Sequence, residues 1–129
     1  MARRILVIDD YEYLLYLLRS LLEDEHYQVS VVSKGADAHE RIRENPPDLI
    51  ILDLKLGNMS GLDILEALRS QEETATIPVL IYTAAILEAE SVRQLLAGNP
   101  TRYRNVSVLR KPFDVDVLLE RVGDMIEAV

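Results

Sequence analysis

At 129 residues, 49% of them hydrophobic, the chain has the length of one ordinary domain and enough apolar side chains for a single core. A formal net charge of −8, from 22 acidic against 14 basic residues, excludes a surface built to coat a nucleic-acid phosphate backbone, and no apolar run is long enough to span a bilayer. With no cysteine there is neither a disulfide framework nor a thiolate metal site, and the short run after Met-Ala-Arg-Arg is no secretory signal, so a cytoplasmic location is expected.

The first apolar run, Ile5 to Ile8, reads as a strand and ends in Asp9-Asp10. Residues 11–24 follow as a helix with a stripe of Leu14, Leu17, Leu18, Leu21 and Leu22. A second strand is expected over Val29–Val32, then a weaker helix over 36–44 around Ala38 and Ile42, stopped by Asn45-Pro46-Pro47. The third strand, Leu49–Leu52, is apolar throughout and runs into Asp53. A helix over 62–70 carries Leu62, Leu65 and Leu68. The fourth strand, Val79–Tyr82, meets Thr83, and a helix over 87–97 with Leu87, Val92, Leu95 and Leu96 halts at Gly98-Asn99-Pro100. The fifth strand, Val106–Leu109, leads to Lys111-Pro112, and a helix over 114–127 closes the pattern. The leucine stripes are assigned to the core.

Strand and helix alternate five times. Short β-branched runs of this kind are buried on both faces of a parallel sheet, with helices above and below. The expected fold is α/β, a doubly wound five-stranded parallel sheet; right-handed crossovers leave few topologies open, and the strand order taken is 2-1-3-4-5. No repeat or linker interrupts it, so residues 1–129 are expected to form one domain with no output domain attached.

In such a sheet every strand end named above lies on one edge, where open α/β sheets bind ligands at the point of strand-order reversal. Asp9, Asp10, Asp53, Thr83 and Lys111 would meet there. Two carboxylates about 4 Å apart repel by roughly 4 kcal/mol at an effective dielectric near 20, and a hard divalent cation removes that cost. Oxygen-only ligands favour Mg²⁺ over zinc. A carboxylate can accept a phosphoryl group covalently, and a hydroxyl and an ammonium can hold its oxygens. Singly, each residue has a plainer reading: Asp9-Asp10 as a helix cap, Asp53 or Thr83 as a turn residue, Lys111 as a solvated charge. Their shared edge is the stronger signal.

On Ile-Asp9-Asp10, Leu-Asp53-Leu with Gly61 downstream, Thr83-Ala84 and Lys111-Pro112-Phe113, the chain resembles the receiver domain of two-component response regulators, in particular the stand-alone chemotaxis type. The resemblance covers essentially the whole chain and implies a flavodoxin-like fold. It implies Asp53 as phosphoacceptor, with Asp10 as a direct Mg²⁺ ligand, Asp9 acting through water and the Lys55 backbone carbonyl as a further ligand. Thr83 and Lys111 would follow the phosphoryl group, Ala84 would leave room for it, and the bond before Pro112 would be cis. Such a domain catalyses its own phosphorylation and dephosphorylation but has no separate substrate. It implies a histidine kinase or phosphotransfer protein as donor and a downstream protein on the face of the fourth helix, fifth strand and fifth helix. Neither nucleic acid nor membrane is an expected direct partner, and a homodimer is left open.

Several positions depart from the family pattern. Val108 stands where an aromatic residue usually reports phosphorylation, which puts the usual output coupling in doubt. Leu56-Gly57 replaces Met-Pro and is expected to loosen that loop. Gly98 to Asn105 is longer than usual. Lys55 and Ala85 flank the path of attacking water and are expected to set the lifetime of the phosphoryl group. His26 and His39 are expected to be surface residues, as are the scattered arginines. Tyr11, Tyr13 and Tyr16 are expected to be partly buried with wet hydroxyls, Tyr11 bordering the site. Two rivals remain: a phosphorylation-independent interaction module on the same fold, and an enzyme such as an aspartate-based phosphatase or a flavin or nucleotide binder. Lys55 stands where such phosphatases carry a second aspartate, and Asp-Asp-Tyr-Glu replaces the glycine-rich loop of dinucleotide folds.

Overall fold

The computed structural model describes residues 2–84 and 86–127. Strands β1 (Arg4–Ile8), β2 (Gln28–Val32), β3 (Leu49–Asp53), β4 (Val79–Thr83) and β5 (Val106–Arg110) form one parallel sheet in the order β2-β1-β3-β4-β5. Helices α1 (Glu12–Asp24), α2 (Ala38–Glu44), α3 (Gly61–Arg69), α4 (Ile86–Gly98) and α5 (Val115–Glu127) connect and cover it. This is the doubly wound sheet expected from the alternation, in the flavodoxin-like arrangement that the resemblance implied. Among the described residues no helix is long and apolar enough to cross a membrane.

Alternation along each strand sends successive side chains to opposite faces. Leu6, Ile8, Ile50, Leu52, Val79 and Ile81 pack with residues of α2, α3 and α4. Ile5, Val7, Leu49, Ile51, Leu80 and Tyr82 pack with residues of α1 and α5. β3 and β4 are buried along their whole length, which is why they read as unbroken apolar runs rather than alternating ones.

The helical stripes are only partly core. Leu15, Leu18 and Leu22 are the buried positions of α1, while Leu17 is exposed. Among the described side chains of α4, Ala89 and Val92 are buried; Leu87 is 82% exposed and Leu95 is also at the surface. The register is set by which side chains meet the sheet, and the small Ala89 lies on that face. Leu87, two positions earlier, falls on the far side of the helix. The stretch expected as a helix from residue 36 begins as a 3₁₀ turn, Gly35–Asp37.

Two local features lie outside the alternating pattern. Lys55–Leu56 pairs antiparallel with Met59–Ser60 in a small hairpin, whose turn residue Gly57 has φ +66°. A positive φ at a hairpin's first turn position favours glycine, so this loop is a defined turn and not a slack one. At the end of α1, His26 has φ +71°, and its N–H donates to the Glu23 carbonyl while that of Tyr27 donates to Leu22. That pairing is a Schellman closure with histidine in the left-handed position usually taken by glycine.

Candidate functional site

The strand parity that builds the two core faces also builds the site. On β1, Ile5 and Val7 face α1 and α5, and Asp9 is the next residue of that parity. On β3 the series Leu49, Ile51 leads to Asp53, and on β4 Leu80 leads to Tyr82. Asp9 extends the ladder through its N–H to the Val32 carbonyl, and Lys111 through its N–H to the Thr83 carbonyl at 2.7 Å. The expected carboxylates and the lysine therefore converge at the C-terminal edge of the sheet.

Ligand atoms of Asp9, Asp10 and Asp53 lie within 4.8 Å of one another. Asp9 and Asp53 are buried, and Asp10 is exposed. Lys111 Nζ stands 3.4 Å from Asp9 Oδ2 and 3.4 Å from Asp53 Oδ2. One ammonium thus bridges two of three carboxylates and leaves the group short of positive charge. The Asp53 carboxyl responds: burial pushes it up to about 6, with Lys111 holding it down and Asp9 pushing it further up.

The Asp9-Asp10 pair does not cap α1. Tyr11 is the cap residue, without a side-chain bond of its own. Asp9 Oδ1 accepts the Tyr11 N–H at 2.9 Å, a tight turn that holds the carboxylate in the crevice. Asp10 reaches the other way, and its Oδ2 accepts the Gly57 N–H at 2.9 Å. Lys55 donates its N–H to Asp53 Oδ1 at 3.4 Å, and its ammonium lies 3.5 Å from Glu88 on α4. Asp53, Lys55, Thr83, Ala84 and Lys111 line a cleft of about 270 Å³. Thr83 is buried and Ala84 exposed. The bond between Lys111 and Pro112 is cis, as the resemblance implied. Ala85 lies outside the described residues.

Three oxygen-bearing side chains drawn together, with no histidine or cysteine in the group among the described residues, fit a hard cation that prefers oxygen, as Mg²⁺ does. Two further residues were given no role in the site by the sequence, although Gly61 is part of the motif that carries the resemblance. Gly61 brings its backbone against Asp53: a Cβ there would lie 2.2 Å from the Asp53 carbonyl oxygen. Tyr82 donates its hydroxyl to Asp9 Oδ2 and places its ring 4.3 Å from Lys111 Nζ. Parity along β4 was the available signal for Tyr82, since it shares the face of Asp9 and Asp53. Val108 is buried among the residues facing α4, and the two histidines stand apart from the acidic cluster.

Residues 5–123 match the sequence model of the response regulator receiver domain. Over 126 residues the chain is 36% identical to the phosphate regulon transcriptional regulatory protein PhoB of Rhizobium meliloti, covering 98% of this chain and 53% of that protein. It is 30% identical over 122 residues to the polar-differentiation response regulator DivK of Brucella ovis, covering 95% of this chain and 94% of DivK. Among solved structures, the signal receiver domain of a signal transduction histidine kinase from Syntrophus aciditrophicus superposes with a TM-score of 0.84 at 29% identity, covering 99% of this chain and 92% of that one. The chain spans about half the length of the first curated relatives it matches.

Proposed function

The chain belongs to the response-regulator receiver family, and from that premise we propose that it is switched by phosphorylation of Asp53. As a receiver domain it is a signalling module and not an enzyme acting on a separate substrate. The observation that carries the proposal is the placement of Asp53, whose carboxylate stands in the cleft with Thr83 and 3.4 Å from Lys111 Nζ.

In the forward step a carboxylate oxygen of Asp53 attacks phosphorus, and the bond from phosphorus to the donor's leaving atom breaks. The product is an acyl phosphate, and water attacking the same phosphorus returns the carboxylate and inorganic phosphate. Asp9, Asp10, Asp53 and the Lys55 backbone carbonyl would hold Mg²⁺, which supplies charge stabilisation to the transferring group. Lys111 neutralises phosphoryl oxygens and Thr83 donates a hydroxyl to them. Ala84 leaves the cleft mouth open.

The acyl phosphate adds about −1.5 to −2 charge. Lys111 and Thr83 follow it, and the ends of β4 and β5 move the face made by α4, β5 and α5. With Val108 in place of an aromatic, that movement is transmitted by strand and helix displacement rather than by a rotating ring. The donor is a histidine kinase or phosphotransfer protein in a cytoplasmic setting, and the receiver of the signal is another protein.

Incubation with acetyl phosphate and Mg²⁺ should add the mass of one phosphoryl group, lost in Asp53→Asn. Absence of the gain, or its persistence in that variant, would overturn the proposal in favour of a phosphorylation-independent interaction module. Lys55, tethered to Glu88, stands beside the path of attacking water. Lys55→Asn is expected to change the lifetime of the phosphoryl group severalfold, roughly the effect of about 1 kcal/mol on a barrier, read by loss of the added mass over time.

A further inference from the structure

Tyr82 is the penultimate residue of β4, wholly buried, and paired with Asp53 across the ladder. Its hydroxyl donates to Oδ2 of Asp9, itself wholly buried. That same Oδ2 lies 3.4 Å from Lys111 Nζ, and the ammonium in turn lies 3.4 Å from Asp53 Oδ2. The ring of Tyr82 carries the ammonium 4.3 Å from its centroid. Phe113 packs against that ring edge-on, with centroids 6.0 Å apart and planes at 62°. One side chain therefore touches an acidic residue of the site by its polar end and the bridging lysine by its ring, and is wedged from behind by Phe113.

We propose that Tyr82 is a positioning residue of the receiver site: its hydroxyl fixes the Asp9 carboxylate for cation binding, and its ring holds Lys111 between Asp9 and Asp53. The inference rests on reading the three aspartates as a Mg²⁺ site. A carboxylate offers about four acceptor positions on two oxygens. The Tyr11 N–H occupies one on Oδ1 and the Tyr82 hydroxyl one on Oδ2, so donors on both oxygens set the orientation of the group. Outer donors that orient a metal-binding carboxylate typically change metal affinity or activity about 10- to 100-fold when removed. The hydroxyl also takes part of the capacity of Asp9 Oδ2 that Lys111 would otherwise claim. Without it the ammonium is drawn toward Asp9 and away from Asp53. The cation–π contact with the ring opposes that drift.

Tyr82→Phe separates the two roles, because it keeps the ring, the contact with Phe113 and the packed volume. Calorimetric titration should give a Mg²⁺ dissociation constant about tenfold higher than in the unmodified chain. Mg²⁺ should also produce a near-ultraviolet difference band from a buried tyrosine, because the phenol's hydrogen bond changes when Asp9 shares its charge with the cation. The band should vanish in Tyr82→Phe and persist in Tyr13→Phe, whose side chain is exposed on α1. If Tyr82→Phe does not fold, the unmodified chain labelled at tyrosine Cζ decides: the resonance that moves with Mg²⁺ must show ring contacts to Phe113. Equal Mg²⁺ affinity in both proteins, or no tyrosine resonance that responds, overturns the inference and leaves the site reading intact. Failure of the unmodified chain to bind Mg²⁺ overturns both.

Discussion

Asp53 carries a cost at neutral pH that its neighbours only partly offset. Its carboxyl rises from 3.8 to about 6, chiefly through burial, which corresponds to on the order of 2–3 kcal/mol. The folded chain binds this proton more tightly than the unfolded chain does. The group's contribution to stability is therefore full below pH about 4 and is lost as pH rises through about 6. Asn mimics the protonated state, so Asp53→Asn should be more stable than the unmodified chain at pH 7.5 in EDTA, by on the order of 2 kcal/mol. The gap should close at pH 4. Urea unfolding at the two pH values checks this, and a less stable variant at pH 7.5 would contradict it. Gly61 acts on the same residue through the backbone. A Cβ 2.2 Å from the Asp53 carbonyl oxygen forces the hairpin or β3 to yield, so Gly61→Ala should destabilise by about 2–3 kcal/mol and reduce phosphoryl incorporation. Asp9, Asp10, Asp53, Thr83 and Lys111 were legible because each follows an apolar strand. Gly61 and Tyr82 owe their importance to close approaches that a linear pattern does not display.

At the scale of elements, strands were easier to read than helix faces. β3 and β4 are apolar along their length because both sides are covered, and the pattern has no competing explanation. For α4, four apolar residues suggested a face that packing then divided, burying Val92 and exposing Leu87 and Leu95. The hairpin at residues 55–60 was invisible because two-residue strands carry no periodicity. His26 looked like a bland surface residue, yet its backbone closes α1 at φ +71°. A side chain in that conformation costs about 1–2 kcal/mol, which glycine avoids. Glycine's freedom in the unfolded chain returns part of that gain. His26→Gly should thus raise stability by about 1 kcal/mol and the melting temperature by about 3–4 °C. Thermal unfolding followed by circular dichroism tests it; an unchanged or lower midpoint would mean that the histidine side chain contributes more than its backbone costs.

The whole molecule is a sheet order plus the ties that lock its layers, and only the first was readable. Alternation and right-handed crossovers leave few orders open, the observed one among them. The ties join residues remote in sequence. Arg102 donates to Glu66 at 2.9 Å and to Ser70 Oγ at 3.2 Å, and the Tyr103 hydroxyl also bonds Glu66. That hydroxyl, with help from Arg102, holds the Glu66 carboxyl below its ordinary value. Nearby, the buried Arg69 guanidinium donates to the Ile77 carbonyl at 2.7 Å and to that of Arg104 at 3.4 Å. The long connection from α4 to β5 is in this way fastened to α3 and the segment after it. Glu66→Ala should release it: amide exchange over residues 99–105 should quicken about fivefold, as for loss of about 1 kcal/mol, with phosphoryl incorporation kept. Unchanged exchange would show that Arg69 and packing suffice.

On the proposed function, parity would give the molecule two exits for its message. Asp9, Asp53 and Tyr82 share the side covered by α1 and α5, whereas Thr83, next in register to Val79 and Ile81, belongs to the side where Val108 meets α4. The sheet stands between them as a partition. If Asp53 is phosphorylated as proposed, a pull on Lys111 would be delivered to one layer and a pull on Thr83 to the other, so a single chemical event at the rim would be reported on both sides of the wall at once.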